Sequence, residues 1–154
     1  YVICLNTNKS VNEKLINLRT ACHPFRIISD ISNYNSKTNL AMPLSMLPKE
    51  IFEKIKNKNE QIRDYGISTN LNNKITVKKN YCILPNSLAI SYSLSIALAG
   101  KSKKIFLAGF DGYDVDDSKN DETDLILRIV RKTYRKLKIL SITKTKYNLK
   151  NYIS

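Results

Sequence analysis

The chain has 154 residues, 42% hydrophobic and 25% charged, the size and balance of one globular domain with a sizeable core rather than a disordered or fibrous chain. Its formal charge of +13 comes from Lys and Arg dispersed along the sequence without aromatic interleaving, which argues against specific nucleic-acid recognition. No apolar run approaches the ~20 residues of a membrane span, and no signal peptide is read at the start.

Three cysteines, Cys4, Cys22 and Cys82, lie in apolar stretches without paired spacing, as buried thiols of a reducing, cytoplasmic compartment would. With one histidine and no cysteine pair, neither a metal site nor a cofactor is expected. The chain opens on Tyr1 rather than Met, which is expected of a trimmed terminus or of a C-terminal piece of a longer protein. Residues 1–154 are read as a single domain.

Residues 1–5 form a short apolar run closed by Asn6-Thr7-Asn8, the pattern of a buried parallel strand. From Ser10 the spacing of Val11, Leu15 and Leu18 predicts a helix, with Ser10 and Glu13 as a capping box. Phe25 to Ile28 reads as a second strand closed by Ser29-Asp30, followed by an Asn-rich loop to about Asn39. Pro48 begins a helix with Ile51, Phe52 and Ile55 on its apolar face.

A polar stretch from Asn57 to Asn73, with a short strand near Ile67, leads to strands at 75–77 and 81–84. After Pro85-Asn86-Ser87 comes the clearest helix, running through Leu98 and closed by Gly100. Ile105 to Ala108 is expected to be the best buried strand, and it ends in Gly109-Phe110-Asp111-Gly112-Tyr113. An acidic loop and a helix from Asp121 follow, with Leu125, Ile129 and Leu137 apolar, and Ile139 to Ile142 is the last expected strand.

This alternation predicts an α/β fold, a Rossmann-like three-layer sandwich with a mostly parallel sheet. Its core is expected to bury Ile3, Leu5, Ile27, Ile96, Ile105, Leu107, Ile129 and Leu140. In such sheets ligands sit at the carboxyl ends of the strands. Asn6, Asn86, Ser87 and Asp111 occupy those positions and are expected to line one cleft. Asn and Ser can bond sugar or base groups, a helix start offers N–H donors to a phosphate, and Asp111 can accept a ribose hydroxyl.

Each of these residues also has a structural reading. Asn86 or Ser87 can simply cap the helix, and Asp111-Gly112 can be a turn. His23 is expected to be a loop residue, and Asp111, Asp114, Asp116 and Asp117 a solvated loop rather than a Mg²⁺ site. There is no GxGxxG or Walker A lysine motif, and no nucleophile–base–orienter set can be assembled.

Residues 86–113, from Asn86-Ser87 through the small-residue helix to Gly109-Phe110-Asp111-Gly112-Tyr113, resemble the helix–strand unit of bacterial surface-glycan proteins related to the lipooligosaccharide sialyltransferases. The segment Ser141-Ile142-Thr143-Lys144-Thr145-Lys146-Tyr147 is similar to an S-L-T-P-T-x-Y ending, with lysine in place of the proline. That ending occurs in a capsule and O-antigen biosynthesis domain fused behind aldolase-like barrels of the 4-hydroxy-2-oxovalerate aldolase type. The resemblance implies that Asn6 and Ser87, with Asn86 beside it, face a nucleotide or nucleotide sugar.

Two parts of the sialyltransferase pattern have no counterpart here. They are the first strand with its G-N-G loop, and the lid histidine, for which Gly112 to Asp124 is too short. Leu88 also replaces the glycine after the helix-start serine. The first expectation is therefore an accessory or nucleotide-sugar-binding domain in surface-polysaccharide synthesis, partnered by a barrel in the same longer protein. The alternatives are a diverged glycosyltransferase and a basic domain that binds nucleic acid or anionic lipid nonspecifically.

Overall fold

The computed structural model describes residues 1–34, 37–59 and 61–151. Asn35 and Ser36 of the expected Asn-rich loop, Glu60 of the polar stretch and residues 152–154 of the tail lie outside the described residues.

In chain order the elements are β1 (Ile3–Leu5), β2 (Leu18–Thr20), α1 (Pro24–Ser29), β3 (Leu40–Met42), α2 (Lys49–Lys58), β4 (Ile62–Asp64) and β5 (Gly66–Thr69). They continue as β6 (Thr76–Val77), β7 (Tyr81–Leu84), α3 (Ala89–Ala99), β8 (Lys104–Leu107), α4 (Lys119–Thr133), β9 (Lys138–Ser141) and β10 (Lys150–Asn151). The strands form three rows: β1-β2-β3-β4, all parallel; β5-β7-β6, with only β6 antiparallel; and β10-β9-β8, all parallel. This is a mixed α/β, Rossmann-like architecture with a mostly parallel sheet.

A single residue joins the first two rows. Tyr65 separates β4 from β5; its N–H donates to Met42 in the first row, and the next N–H, of Gly66, donates to Asn80 before β7. One stretch of chain thus changes partners without a loop, and the buried Tyr65 side chain joins the larger core.

Two cores flank the sheet. In one, Ile27 of α1 and Ile55 of α2 pack with Ala21, Leu40 and Met42. In the other, α3 packs on β1, β2, β6 and β7 and touches α4. Helix α3 is apolar around most of its circumference and buries Ile90 through Ser95, whereas α4 buries one stripe: Thr123, Ile126, Leu127 and Val130. Those spacings of three and four place the α4 stripe on one helical face. Leu125, Ile129 and Leu137, read as the apolar side from the sequence, are only half-buried.

Two expected elements exchange type. The helix predicted from Ser10 is a single 3-10 turn over Glu13–Leu15 followed by β2, and Leu15 is 62% exposed. Asn12, not Ser10, accepts from the Lys14 N–H, and Glu13 turns toward Arg19 rather than capping. Pairing on both sides of β2 outweighs weak local helix preference. Conversely, the strand predicted at 25–28 is α1, with Pro24 in its first turn, Ile27 buried and Phe25 79% exposed. A short apolar run carries no period of its own, and Pro24 settles the matter by pre-setting a helical φ.

Strands β3, β4 and β10 were not anticipated from sequence. β3 is three residues long and wholly buried, too short to show alternation. Of the expected core, Ile27 and Leu107 are buried; Ile3, Leu5, Ile96, Ile105, Ile129 and Leu140 are half-buried. β8 ends its row and is not the best buried strand: Phe106 is 43% exposed, with the Lys104 ammonium 4.6 Å from its ring centroid.

Candidate functional site

The carboxyl edge of the first row is built around a buried arginine. β1 stops at Leu5, and Asn6 takes a left-handed φ of 51° while its N–H donates to Thr20 at 2.8 Å. Asparagine tolerates that conformation better than most residues. Arg19, only 4% exposed, then holds the loop from the strand beside it. Its guanidinium donates to the carbonyls of Asn6 (2.9 Å) and Asn8 (3.1 Å) and forks onto the Glu13 carboxylate.

Glu13 also accepts from Thr38 at 2.6 Å. The arginine bond and the threonine bond hold the Glu13 carboxyl below its ordinary value, against the opposing effect of burial. Beyond the loop, Thr7 donates to Asp30 at 2.8 Å, and Arg26 reaches the same carboxylate at 3.0 Å. Chiefly through the Thr7 bond, Asp30 stays ionised below the usual carboxylate range.

Ser87 belongs to the same edge. The Cys22 thiol, two residues beyond β2, contacts the Ser87 carbonyl at 3.3 Å, so the end of β2 stands between the Asn6 turn and the start of α3. Burial pushes the Cys22 thiol up to about 12, so it remains protonated near neutrality and is no nucleophile. All three cysteines are buried and free, as their apolar surroundings in the sequence imply.

Asn86 is mainly a brace. Its amide donates to the Glu122 carbonyl in α4 (3.1 Å), and its oxygen accepts from the Leu88 N–H (3.3 Å) and the Ser91 hydroxyl (2.5 Å). A primary amide has two donors and one oxygen with two lone pairs, so one N–H is left for anything else. Asn86 thereby fixes the start of α3 to the first turn of α4. Between those helix starts and the end of β5 opens a cleft of about 360 Å³, lined in part by Thr69, Asn70, Asn86, Ser87 and Glu122. That volume lies at the small end of the ~300–1,000 Å³ typical of ligand pockets.

Asn6 and Asp111 are not among the residues lining this cleft. Asp111 is exposed; its carbonyl accepts from the Lys146 N–H, and Thr145 bonds the neighbouring Phe110 carbonyl. The acidic loop is closed by Asn120, whose amide bonds the Tyr113 N–H and the Asp114 carbonyl, while Asp117 pairs with Lys119. Among the described residues no three His, Cys, Asp or Glu side chains group as a metal site would require. His23 is exposed at the start of α1.

Compared with protein-family models, curated proteins and solved structures, the chain finds no match. Its chemistry is therefore read from the cleft itself. Hydroxyls at Thr69 and Ser87, an amide at Asn70 and a carboxylate at Glu122 suit a polyhydroxylated ligand.

Sequence reasoning did not single out Arg19, Thr69, Asn70 or Glu122. Glu122 reads locally as an ordinary acid in a helical first turn, and Arg19 as one more exposed cation. Leu18 before Arg19, with β-branched Thr20 and then Ala21 after it, was the available signal that this arginine sits in a strand.

Proposed function

We propose that the chain is a nucleotide- or nucleotide-sugar-binding domain, serving surface-polysaccharide synthesis next to an aldolase-like barrel in a longer protein. The observation that carries the binding reading is the cleft at the start of α3, where Ser87, Asn70, Thr69 and Glu122 converge at the end of β5. Sugar and ribose hydroxyls need such a mixture of neutral donors and one acceptor carboxylate. The resemblance of residues 86–113 to surface-glycan proteins supports the choice of ligand class.

Binding fits these residues better than group transfer. The chain's one imidazole, His23, does not line the cleft, and general acid–base work needs a group within hydrogen-bond reach of the reacting atom. Titration with cytidine monophosphate and a cytidine-linked sugar, followed by calorimetry and amide NMR, tests the proposal. Shifts centred on Asn70, Ser87 and Glu122 are expected, with binding lost in Ser87→Trp. Shifts elsewhere, or no binding at millimolar ligand, would refute it.

A further inference from the structure

The amino-end side of β8 and β9 carries a second groove of different chemistry. Two connections form it: residues 100–103 lead from α3 into β8, and residues 134–137 lead from α4 into β9. They run side by side, joined where the Lys138 N–H donates to the Lys103 carbonyl at 3.1 Å. The groove between them measures about 530 Å³. Lys101 and Lys103 line it from one connection, Arg135 and Lys136 from the other, and among the described residues no carboxylate lines it.

We propose that this groove is a phosphate-binding site for a ligand presenting adjoining phosphate groups, whether on a soluble metabolite or as headgroups at a lipid surface. The ordinary explanation for cations here is that they complement the carboxyl ends of α3 and α4. Each helix end carries roughly half a negative charge, so two ends offset about one of the four positive charges. About three remain without a counter-charge from the helices.

Among the described residues, no ion pair supplies it. The ion pairs among the described residues use Arg19, Arg26 and Lys119, none of which lines the groove. Concentrated charge of one sign in a cleft raises the local concentration of the opposite ion, more so beside apolar walls. Leu98 and Leu137, both packed against the larger core, supply such walls.

The backbone also fixes where the cations stand. The left-handed residue that closes α3 is Lys101, at φ 59°, rather than the adjacent Gly100, at φ −75°. Bonds from the Lys101 N–H to Leu98 (2.9 Å) and from the Ser102 N–H to Ala97 (3.1 Å) lock that turn. On the facing connection, the Leu137 N–H closes on the Tyr134 carbonyl at 2.9 Å and sets the turn bearing Arg135 and Lys136. Arg135 offers the planar fork that matches two phosphate oxygens, and the lysines act as point charges around it.

The test uses the chain with inorganic pyrophosphate by calorimetry and NMR, and with phosphatidylcholine vesicles with or without phosphatidic acid by sedimentation. Two charge-reversed variants are compared: K103E/R135E in the groove, and K9E/K54E, of equal net charge, at exposed sites away from it. K103Q/R135Q repeats the groove change without reversing charge, and circular dichroism checks that each variant folds. Binding of pyrophosphate or of phosphatidic-acid vesicles should weaken about tenfold or more in K103E/R135E, less in K103Q/R135Q, and hold in K9E/K54E. The probe that responds identifies the source of the phosphate. Equal loss in both reversed variants, or binding of neither probe, would overturn the proposal.

Discussion

The two faces of the β1–β2–β3 row hold polar groups in opposite ways. On the α1–α2 side, Arg19 is buried as a full charge, neutralised by Glu13 and tied to the Asn6–Asn8 loop. On the α3 side, the next residue, Thr20, meets Ser93 at 2.6 Å, and the Tyr92 hydroxyl donates to the Tyr65 carbonyl at 2.5 Å; every group is neutral. Ser93 also donates to the Ala89 carbonyl in its own helix, so Thr20 is the donor to Ser93. Adjacent residues on one strand thus face a charge-dependent core and a charge-free one. A buried ion fixes a loop firmly but fails if its partner is lost, whereas neutral hydroxyl pairs lose little one at a time.

Arg19→Ala should have the largest effect, about 3–5 kcal/mol of lost stability, because it removes the loop's anchor and leaves Glu13 without its partner. Urea unfolding measures it, and a loss under ~1 kcal/mol would show that the two faces do not differ. Glu13→Gln should cost less, about 2 kcal/mol, since Glu13 is itself partly exposed and water can replace some of the lost interaction.

Acid should act on the same pair without mutation. The folded Glu13 carboxyl lies below its ordinary value near 4.5. Its contribution is therefore present above that value and is lost as pH falls through the lower folded one. Glu13→Gln should flatten part of the acid limb of a stability–pH curve, while Asp30 and Asp117, also lowered, keep a share of it. On the α3 face the groups whose titration is shifted are hydroxyls and thiols. Its thiols, pushed up to about 12 at Cys22 and about 11 at Cys82, weaken the fold only as pH rises above their ordinary value near 9.

On that neutral face, Tyr92→Phe leaves the Tyr65 carbonyl without its hydroxyl donor and should cost about 1–2 kcal/mol by thermal unfolding. Thr20→Val should have the smallest effect, under ~1 kcal/mol, because Ser93 keeps its bond to Ala89. A larger cost for Thr20→Val than for Glu13→Gln would invert the comparison.

Much of the α/β order was determined by the sequence alone, where periodicity runs long enough or punctuation is strong. Helix α3 follows from nearly continuous small and apolar residues before Gly100, and α2 from Pro48 with Ile51, Phe52 and Ile55. The strands at 81–84 and 138–141 and the burial of three cysteines follow from local composition. Tertiary structure decided the region from Ser10 to Met42, where β2 and β3 are three residues each and gain their stability by pairing on both sides. No local pattern distinguishes Phe25-Arg26-Ile27-Ile28 as helix from strand until the sheet has claimed its neighbours. Of the four residues placed at a site from sequence, Asn86 and Ser87 adjoin in the chain and share the cleft. Asn6 stands elsewhere on the same edge, and Asp111 is folded against Lys146. Chain-local order fixes which residues end a strand; the order and twist of the rows fix which strand ends meet.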